Sequence, residues 1–313
     1  MHPPILIVRD LWKSYAEIHA VQGLSFEISR GEFFGLLGPN GAGKTTTIGL
    51  LSGLIEPTQG QILIDGIDLF SRPMEAKAKL GLVPQSFALY PTLCALDNLV
   101  FFGRIYGLKG NRLKERMANV LEMVELTDRA DQPVATFSNG MKRRLNIAVG
   151  LLHEPEILVL DEPTVGVDTQ SRNAILESIK SLNRSGVTVL YTTHYIEEAQ
   201  RLCDRVAIMD QGKILALDSP DCLIRDLGKG IIRLDFNRGI DEKFLDQMKH
   251  IGFVRVVDDQ MRIIHIETDQ MDQASREIWE LMKSRQGLLK TLDISEPNLE
   301  TVFIYLTGRN LRD

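Results

Sequence analysis

Near the start of the chain, eight consecutive residues have the types and spacing needed to hold a polyphosphate. Gly38-Pro39-Asn40-Gly41-Ala42-Gly43-Lys44-Thr45 matches G-x-x-x-x-G-K-[ST] and sits between the apolar run Phe33-Phe34-Gly35-Leu36-Leu37 and a helical run beginning near Thr46. Glycines let the backbone curl until successive N–H groups converge on phosphate oxygens, and the following helix N-terminus adds the positive end of its dipole. In this pattern Lys44 is expected to reach the β- and γ-phosphates, and Thr45 to place its hydroxyl on Mg²⁺. The motif specifies a nucleotide without saying which one.

A second constellation lies more than a hundred residues further on. Ile157-Leu158-Val159-Leu160 ends in Asp161-Glu162-Pro163, which puts two adjacent carboxylates at the C-terminal end of a buried strand, where open α/β sheets place their ligands. A strand simply ending in solvated acids is the lesser reading of the pair. Beside a phosphate loop, Asp161 is expected to hold Mg²⁺, and Glu162, one step further, to orient or deprotonate an attacking water.

The elements that must carry these groups are legible as patterns. The runs at 33–37, 157–160 and 187–191 lack period-2 alternation, as expected of strands covered on both faces of a parallel sheet. Strand-like and helix-like segments alternate from the start to about 218, an α/β core. From about 97 to 153 no comparable strand occurs, and Leu113, Met117, Val120, Leu121 and Val124 recur at helical spacing, so a helical subdomain is inserted there. Residues 205–218 read as a hairpin through Asp210-Gln211-Gly212-Lys213. After Gly228-Lys229-Gly230 the pattern restarts: strand 231–236, helix 241–251, strands 253–257 and 261–267, helix 272–285, strand 288–294 and a terminal helix from about 298. That βαββαβ order is the split βαβ, or ferredoxin-like, motif. The expected boundary therefore gives a nucleotide-binding domain over 1–225 and an accessory α+β domain over 226–313.

Composition narrows the class. With 313 residues, 44% hydrophobic and 25% charged, the chain has the make-up of a globular protein of about two domains. Lys plus Arg total 36 against 42 Asp plus Glu, a net charge of -6 that argues against general nucleic-acid coating. No run approaches the roughly 18–20 apolar residues of a membrane span, and Met1-His2-Pro3-Pro4 lacks a charged signal-peptide n-region, so a cytosolic start is expected. Cys94, Cys203 and Cys222 are widely spaced without a C-x-x-C pair and read as buried reduced thiols.

These residues together resemble the ABC-type ATPases, the nucleotide-binding subunits of ATP-binding cassette transporters, over residues 1 to about 220. The family's signature, usually Leu-Ser-Gly-Gly-Gln, appears as Phe137-Ser138-Asn139-Gly140-Met141, just before a helical run and about twenty residues before Asp161. Further matches are Tyr15 where an aromatic stacks on adenine, Gln85 in the Q-loop, Val165-Gly166-Val167-Asp168 as the D-loop and His194 as the switch histidine. Their order implies a P-loop ABC ATPase core that binds ATP and Mg²⁺. Gly38 to Thr46 would cradle the nucleotide with Tyr15, while Thr45, Gln85 and Asp161 would serve the metal, and Glu162, Gln85 and His194 catalysis. In the family, Ser138, Asn139, Gly140 and Asp168 act on the nucleotide held by a second cassette, so the resemblance implies a homodimer or a paired cassette.

Two signature positions depart from the family. Asn139 replaces Gly, which a left-handed backbone would tolerate because Asn visits that region readily, and Met141 replaces Gln. Met141-Lys142-Arg143-Arg144, the ferredoxin-like tail and the closing Leu306-Thr307-Gly308-Arg309-Asn310-Leu311-Arg312 resemble the daunorubicin-resistance branch of drug and polysaccharide exporters. Lys142-Arg143-Arg144 itself reads as a solvated face of the signature helix. Ser86 to Pro91 resembles the surface that meets an integral membrane permease, although Phe87, Leu89 and Tyr90 also suit a subdomain joint. The implied protein is an exporter's ATPase subunit on the cytoplasmic face of the plasma membrane, peripheral through its permease. A soluble cassette acting on ribosomes or DNA is the alternative; such members usually carry two cassettes or a long coiled-coil insertion, and neither is evident. A GTPase would need Asn-Lys-x-Asp, which is absent.

Overall fold

The computed structural model describes residues 3–227, 230–256, 258, 260–268, 270–283, 285, 287–295 and 298–308. It divides into two compact units, 1–217 and 218–313.

The first unit opens differently from a simple strand-helix alternation. Strands β1 (Leu6–Tyr15) and β2 (Ile18–Ile28) form an antiparallel pair, and β4 (Gln59–Ile64) and β5 (Ile67–Asp68) extend it to a sheet ordered β2-β1-β4-β5. Between them come β3 (Phe33–Leu37) and α1 (Lys44–Leu51). After the short α2 (Pro73–Lys77), β6 (Leu80–Val83) leads into three helices, α3 (Ala95–Ile105), α4 (Gly110–Met123) and α5 (Asn139–Leu151). They make up the expected helical insertion, with Leu113, Met117, Val120 and Leu121 on the buried face of α4. The chain then runs through β7 (Ile157–Asp161), α6 (Thr169–Arg184), β8 (Thr188–Thr193), α7 (Ile196–Leu202) and the hairpin β9 (Arg205–Asp210) and β10 (Lys213–Asp218).

The second sheet is ordered β10-β9-β3-β8-β7-β6, with β9, β3, β8, β7 and β6 parallel. Every residue of β3, β7 and β8 is buried, the physical counterpart of their uninterrupted apolar runs. The core spans both sheets: Leu6, Val8 and Leu11 of β1 share one apolar cluster with Leu36, Val159 and Leu190, and the Phe26 ring stacks on Phe34 at 5.3 Å. Each such side chain contributes about 1.5–3 kcal/mol by leaving water.

The second unit begins with α8 (Pro220–Leu227) and continues as β11 (Gly230–Phe236), α9 (Glu242–Lys249), β12 (Phe253–Val256), β13 (Ile263–Thr268), α10 (Met271–Lys283), β14 (Leu289–Ser295) and α11 (Leu299–Thr307). Its antiparallel sheet is ordered β12-β13-β11-β14, the arrangement of a split βαβ. Ile232, Leu234 and Phe236 meet Phe244 and Met248 of α9 and Ile278 of α10 in its core. The expected boundary at 225 falls inside α8. That helix packs on α11, so the division falls after Leu217 instead. Gly228, Lys229, residue 257 at the end of the tail's expected second strand and the closing Arg309 to Arg312 lie outside the described residues.

The cysteines also differ from expectation, since only Cys203 is buried. Cys94 is half-buried because its Sγ caps α3, accepting from Asp97 N at 3.3 Å, and half-buried Cys222 accepts from Arg225. Burial pushes the Cys203 thiol far above its ordinary value.

Candidate active site

The strand order turns distant sequence segments into neighbours. Because β3, β8, β7 and β6 lie side by side and parallel, four loops emerge along one sheet edge: the phosphate loop after β3, His194 after β8, Asp161 and Glu162 at β7, and Gln85 after β6.

Gly43 precedes α1 with φ +101°, in the region that L side chains rarely adopt, and a Cβ there would lie 2.5 Å from Ala20 O. Backbone curvature and close packing against β2 thus both require glycine. The loop is braced from the other side by Gly212 N donating to Ala42 O and Gln22 Nε2 donating to Gln211 O. Lys44 is 4% exposed; its Nζ donates to Gly38 O at 2.7 Å and Pro39 O at 3.0 Å, and lies 3.1 Å from Glu162 Oε1.

Glu162 is where the site converges. Its other carboxylate oxygen accepts from Gln85 Nε2 at 3.3 Å and stands 3.2 Å from His194 Nδ1, which is poorly aligned for a hydrogen bond and has no other partner. Glu162 itself has φ +44°, a conformation costing a non-glycine residue about 1–3 kcal/mol. It is held there by its N–H, which donates to Thr192 Oγ1 at 2.9 Å. Thr192 also donates to Asp161 Oδ1 at 2.7 Å, directly across the β7–β8 ladder. Burial raises Asp161 above the usual carboxylate range, and hydrogen bonds from Thr192 and Thr45 partly offset this.

A cleft of about 390 Å³ brings Asn40, Gly41, Gly43, Lys44, Thr45 and Thr46 together with Gln85 and Glu162, facing Ile18, His19 and Gln22 of β2. Its donor set suits a nucleotide with Mg²⁺: a buried carboxylate and a hydroxyl are hard oxygen ligands. Among the described residues, no three His, Cys, Asp or Glu gather as a complete cage. A cation that keeps waters and phosphate oxygens as ligands fits such a site. Tyr15 does not line this cleft; it ends β1 half-exposed, with Lys13 Nζ 5.0 Å from its ring centroid.

Ser138, Asn139, Gly140 and Asp168 also stand outside the cleft, grouped with one another. Ser138 caps α5, accepting from Met141 N at 3.2 Å, and Asp168 caps α6, accepting from Ser171 N at 3.0 Å. That bond holds the Asp168 carboxyl below its ordinary value. A Cβ on Gly140 would sit 2.6 Å from the Ser171 side chain, so glycine is what lets the two helix starts meet. Asn139 does not have a left-handed backbone. It opens α5, and its side chain donates to Gly166 O at 3.2 Å, replacing glycine with a tie to the D-loop.

Arg143 corrects the reading of a solvated basic face. It is 2% exposed and donates to Pro84 O at 2.8 Å and Gln85 O at 2.7 Å, with its guanidinium 4.8 Å from the Phe87 ring centroid. Arg144 likewise turns inward to the carbonyl of Val124. Sequence reasoning missed Arg143, Thr192 and the Gln22–Gln211 brace. Their roles depend on strands and helices that meet only after folding, and no local pattern marks them.

A phosphate loop on the central strand of a parallel sheet, a carboxylate pair two strands away and a helical insertion ending in a capped signature helix together define an ATP-binding cassette. The chain belongs to the ABC transporter family, whose model matches residues 21–165, and it is an ATP-binding, ATP-hydrolysing subunit of that class. It is 45% identical to the linearmycin resistance ATP-binding protein LnrL of Bacillus subtilis, over 99% of this chain and 100% of that one. It is 38% identical to the Nod factor export ATP-binding protein I of Ralstonia nicotianae, over 99% and 96%. Among solved structures, a dimeric ATP-binding cassette in a post-hydrolysis state bound to ADP and Pi matches with TM-score 0.62 and 28% identity, over 68% of this chain and 98% of that one. An ATP-binding subunit of an ABC transporter matches with TM-score 0.65 and 32% identity, over 72% and 93%.

Proposed function

We propose that this subunit works as a pair of cassettes, uses Mg²⁺ with ATP, and drives export through a separate integral membrane permease at the cytoplasmic face of the membrane. The observation that carries the catalytic part is the convergence of Lys44, Gln85 and His194 on the one buried carboxylate of Glu162. Export is supported by the names of the linearmycin resistance and Nod factor export relatives, which match nearly the whole of this chain. Among the described residues no helix is long and apolar enough to cross a membrane, so the reading assigns the pore to another chain. The exposed Phe87, Tyr90 and Phe101 beside the Q-loop suit contact with that chain's cytoplasmic segment.

In this reading the backbone N–H groups from Gly38 to Thr46 bind the phosphates, and Lys44 leaves its carbonyls and Glu162 to take the β- and γ-phosphate oxygens. Thr45, Asp161 and Gln85 would hold Mg²⁺, which when bound neutralises charge on those oxygens. Glu162, freed from Lys44, orients and deprotonates the attacking water, and His194 steadies the γ-phosphate from the side of β8. Tyr15, outside the cleft but paired across the β1–β2 ladder with Ile18, which lines it, is assigned to stacking on adenine. Ser138, Asn139, Gly140 and Asp168 complete the partner cassette's site.

Glu162→Gln keeps the shape and removes the base. It should bind ATP as the parent does while phosphate release stops, whereas Lys44→Ala should weaken ATP binding itself. Full hydrolysis by Glu162→Gln would remove the catalytic assignment. Co-purification with an integral membrane protein tests the exporter, and its replacement by ribosomes or DNA would favour the soluble alternative.

A further inference from the structure

Glu197 and Glu198 are adjacent acids at the start of α7 with opposite fates. Glu197 is exposed, whereas Glu198 is 3% exposed and accepts four hydrogen bonds. Thr164 Oγ1 donates to its Oε1 at 2.8 Å and Arg172 Nε to the same oxygen at 2.7 Å. Tyr191 Oη and Thr193 Oγ1 each donate to Oε2 at 2.7 Å. A carboxylate has about four lone-pair sites, so this one is saturated.

The donors are not a random sample of the interior. Thr164 is two residues after Glu162, Thr193 directly precedes His194, and Arg172 lies one helical turn beyond Asp168 on α6. Thr193 Oγ1 also accepts from Tyr195 N at 2.9 Å, so the residues on both sides of His194 are bound to one hydroxyl. The Arg172 guanidinium lies 3.9 Å from the Tyr195 ring centroid, and that ring is 4.2 Å from the His194 ring. One carboxylate and one guanidinium thus fasten the switch loop, the chain just past Glu162 and the first turn after the D-loop. A fully hydrogen-bonded buried ion pair contributes little net stability, and its best-supported use is to fix one arrangement over others.

We infer that Glu198, braced by Arg172, is a positioning residue that sets His194 against Glu162 and ties that placement to the D-loop helix. The inference rests on the reading of His194 and Glu162 given above. A shift of about 1 Å at a reacting group can cost about a hundredfold in rate, so a residue acting only through His194 can still govern turnover.

The test uses the full-length protein in single-turnover hydrolysis with enzyme in excess, which resolves slow rates, and reads nucleotide binding separately. Arg172→Met sits at the half-buried edge of the network and keeps side-chain length, so it reports even if Glu198→Gln does not fold; Glu197→Gln is the control. Arg172→Met and Glu198→Gln should each lower the rate per bound nucleotide by about tenfold to a hundredfold, with ATP affinity within about twofold of the parent because no phosphate ligand is touched. In a His194→Ala background, Arg172→Met should cause no further loss, since the residue through which it acts is gone. An undiminished loss in that background, or no loss in the parent, overturns the inference while leaving the active-site reading intact. Full-rate hydrolysis by His194→Ala would overturn the role of His194, and the inference with it.

Discussion

Asp161, the carboxylate proposed to hold Mg²⁺, shows what burial costs an individual acidic side chain. Its carboxyl lies 4% exposed and is raised above its unfolded value, chiefly by burial. For an acid shifted upward, the penalty is absent where both states are protonated, grows as pH rises from the ordinary carboxylate value through the folded one, and stays constant above it. At neutral pH the ionised carboxylate therefore destabilises the nucleotide-free protein. Asp161→Asn should melt higher than the parent without nucleotide, by about 2–4 °C for each 1 kcal/mol relieved, and should lose the added stabilisation by Mg-ATP; differential scanning calorimetry with and without Mg-ATP reads both. Arg143 carries the same burial penalty on its charge, but that charge holds two carbonyls of the Q-loop. Arg143→Met takes the guanidinium from Gln85 O and leaves Pro84 O with only the longer bond from Asn146 Nδ2 at 3.4 Å, at about 1–3 kcal/mol. Urea unfolding should show that loss, accompanied by slower hydrolysis at unchanged ATP affinity, because Gln85 is then held less firmly.

At the scale of elements, the same helix-start chemistry appears twice side by side. Ser138 caps α5, Asp168 caps α6, and Gly140 against Ser171 lets the two starts meet. Ser and Asp are favoured helix caps by residue type, but the juxtaposition of these two was not legible, because twenty-nine residues separate the caps in the chain. The boundary between the units belongs to this scale as well. Since α8 packs on α11, a protein ending at Leu217 removes a whole unit, whereas one ending at 225 leaves most of α8 without its partner helix. Residues 1–217 should fold cooperatively and bind ATP, while residues 1–225 should be less soluble, with an amphipathic segment uncovered. Circular dichroism melts and nucleotide binding of the two truncations decide this, and failure of the shorter one to fold would show that the second unit completes the first one's core.

For the whole molecule, the separation of the phosphate cleft from Ser138, Asn139, Gly140 and Asp168 means that one chain does not line both sides of a nucleotide with these groups. In the proposed pair of cassettes, Lys44→Ala and Ser138→Arg should each inactivate the homodimer. In a mixed dimer both lesions fall in one composite site, and the other regains Lys44 and Ser138. Mixing the two inactive variants should therefore restore part of the ATPase activity when measured by phosphate release across mixing ratios. Complete sites within single chains would give no recovery at any ratio.

The sequence by itself determined the chemistry that is local. Gly43, Lys44 and Thr45 follow from the motif, and apolar runs such as 157–160 must be buried strands because nothing in them can face water. The βαββαβ order of the tail was legible for the same reason, since periodicity is a property of neighbouring residues. Tertiary structure alone decided what depends on which strands pair. The β3-β8-β7-β6 order put Gln85 and His194 on Glu162, the β7–β8 register put Thr192 beneath the carboxylates, and the approach of α5 to β6 buried Arg143 where composition suggests a solvated face. Pairing and register are fixed by packing summed over the whole core, so residues whose roles arise from them carry no signature in the sequence around them.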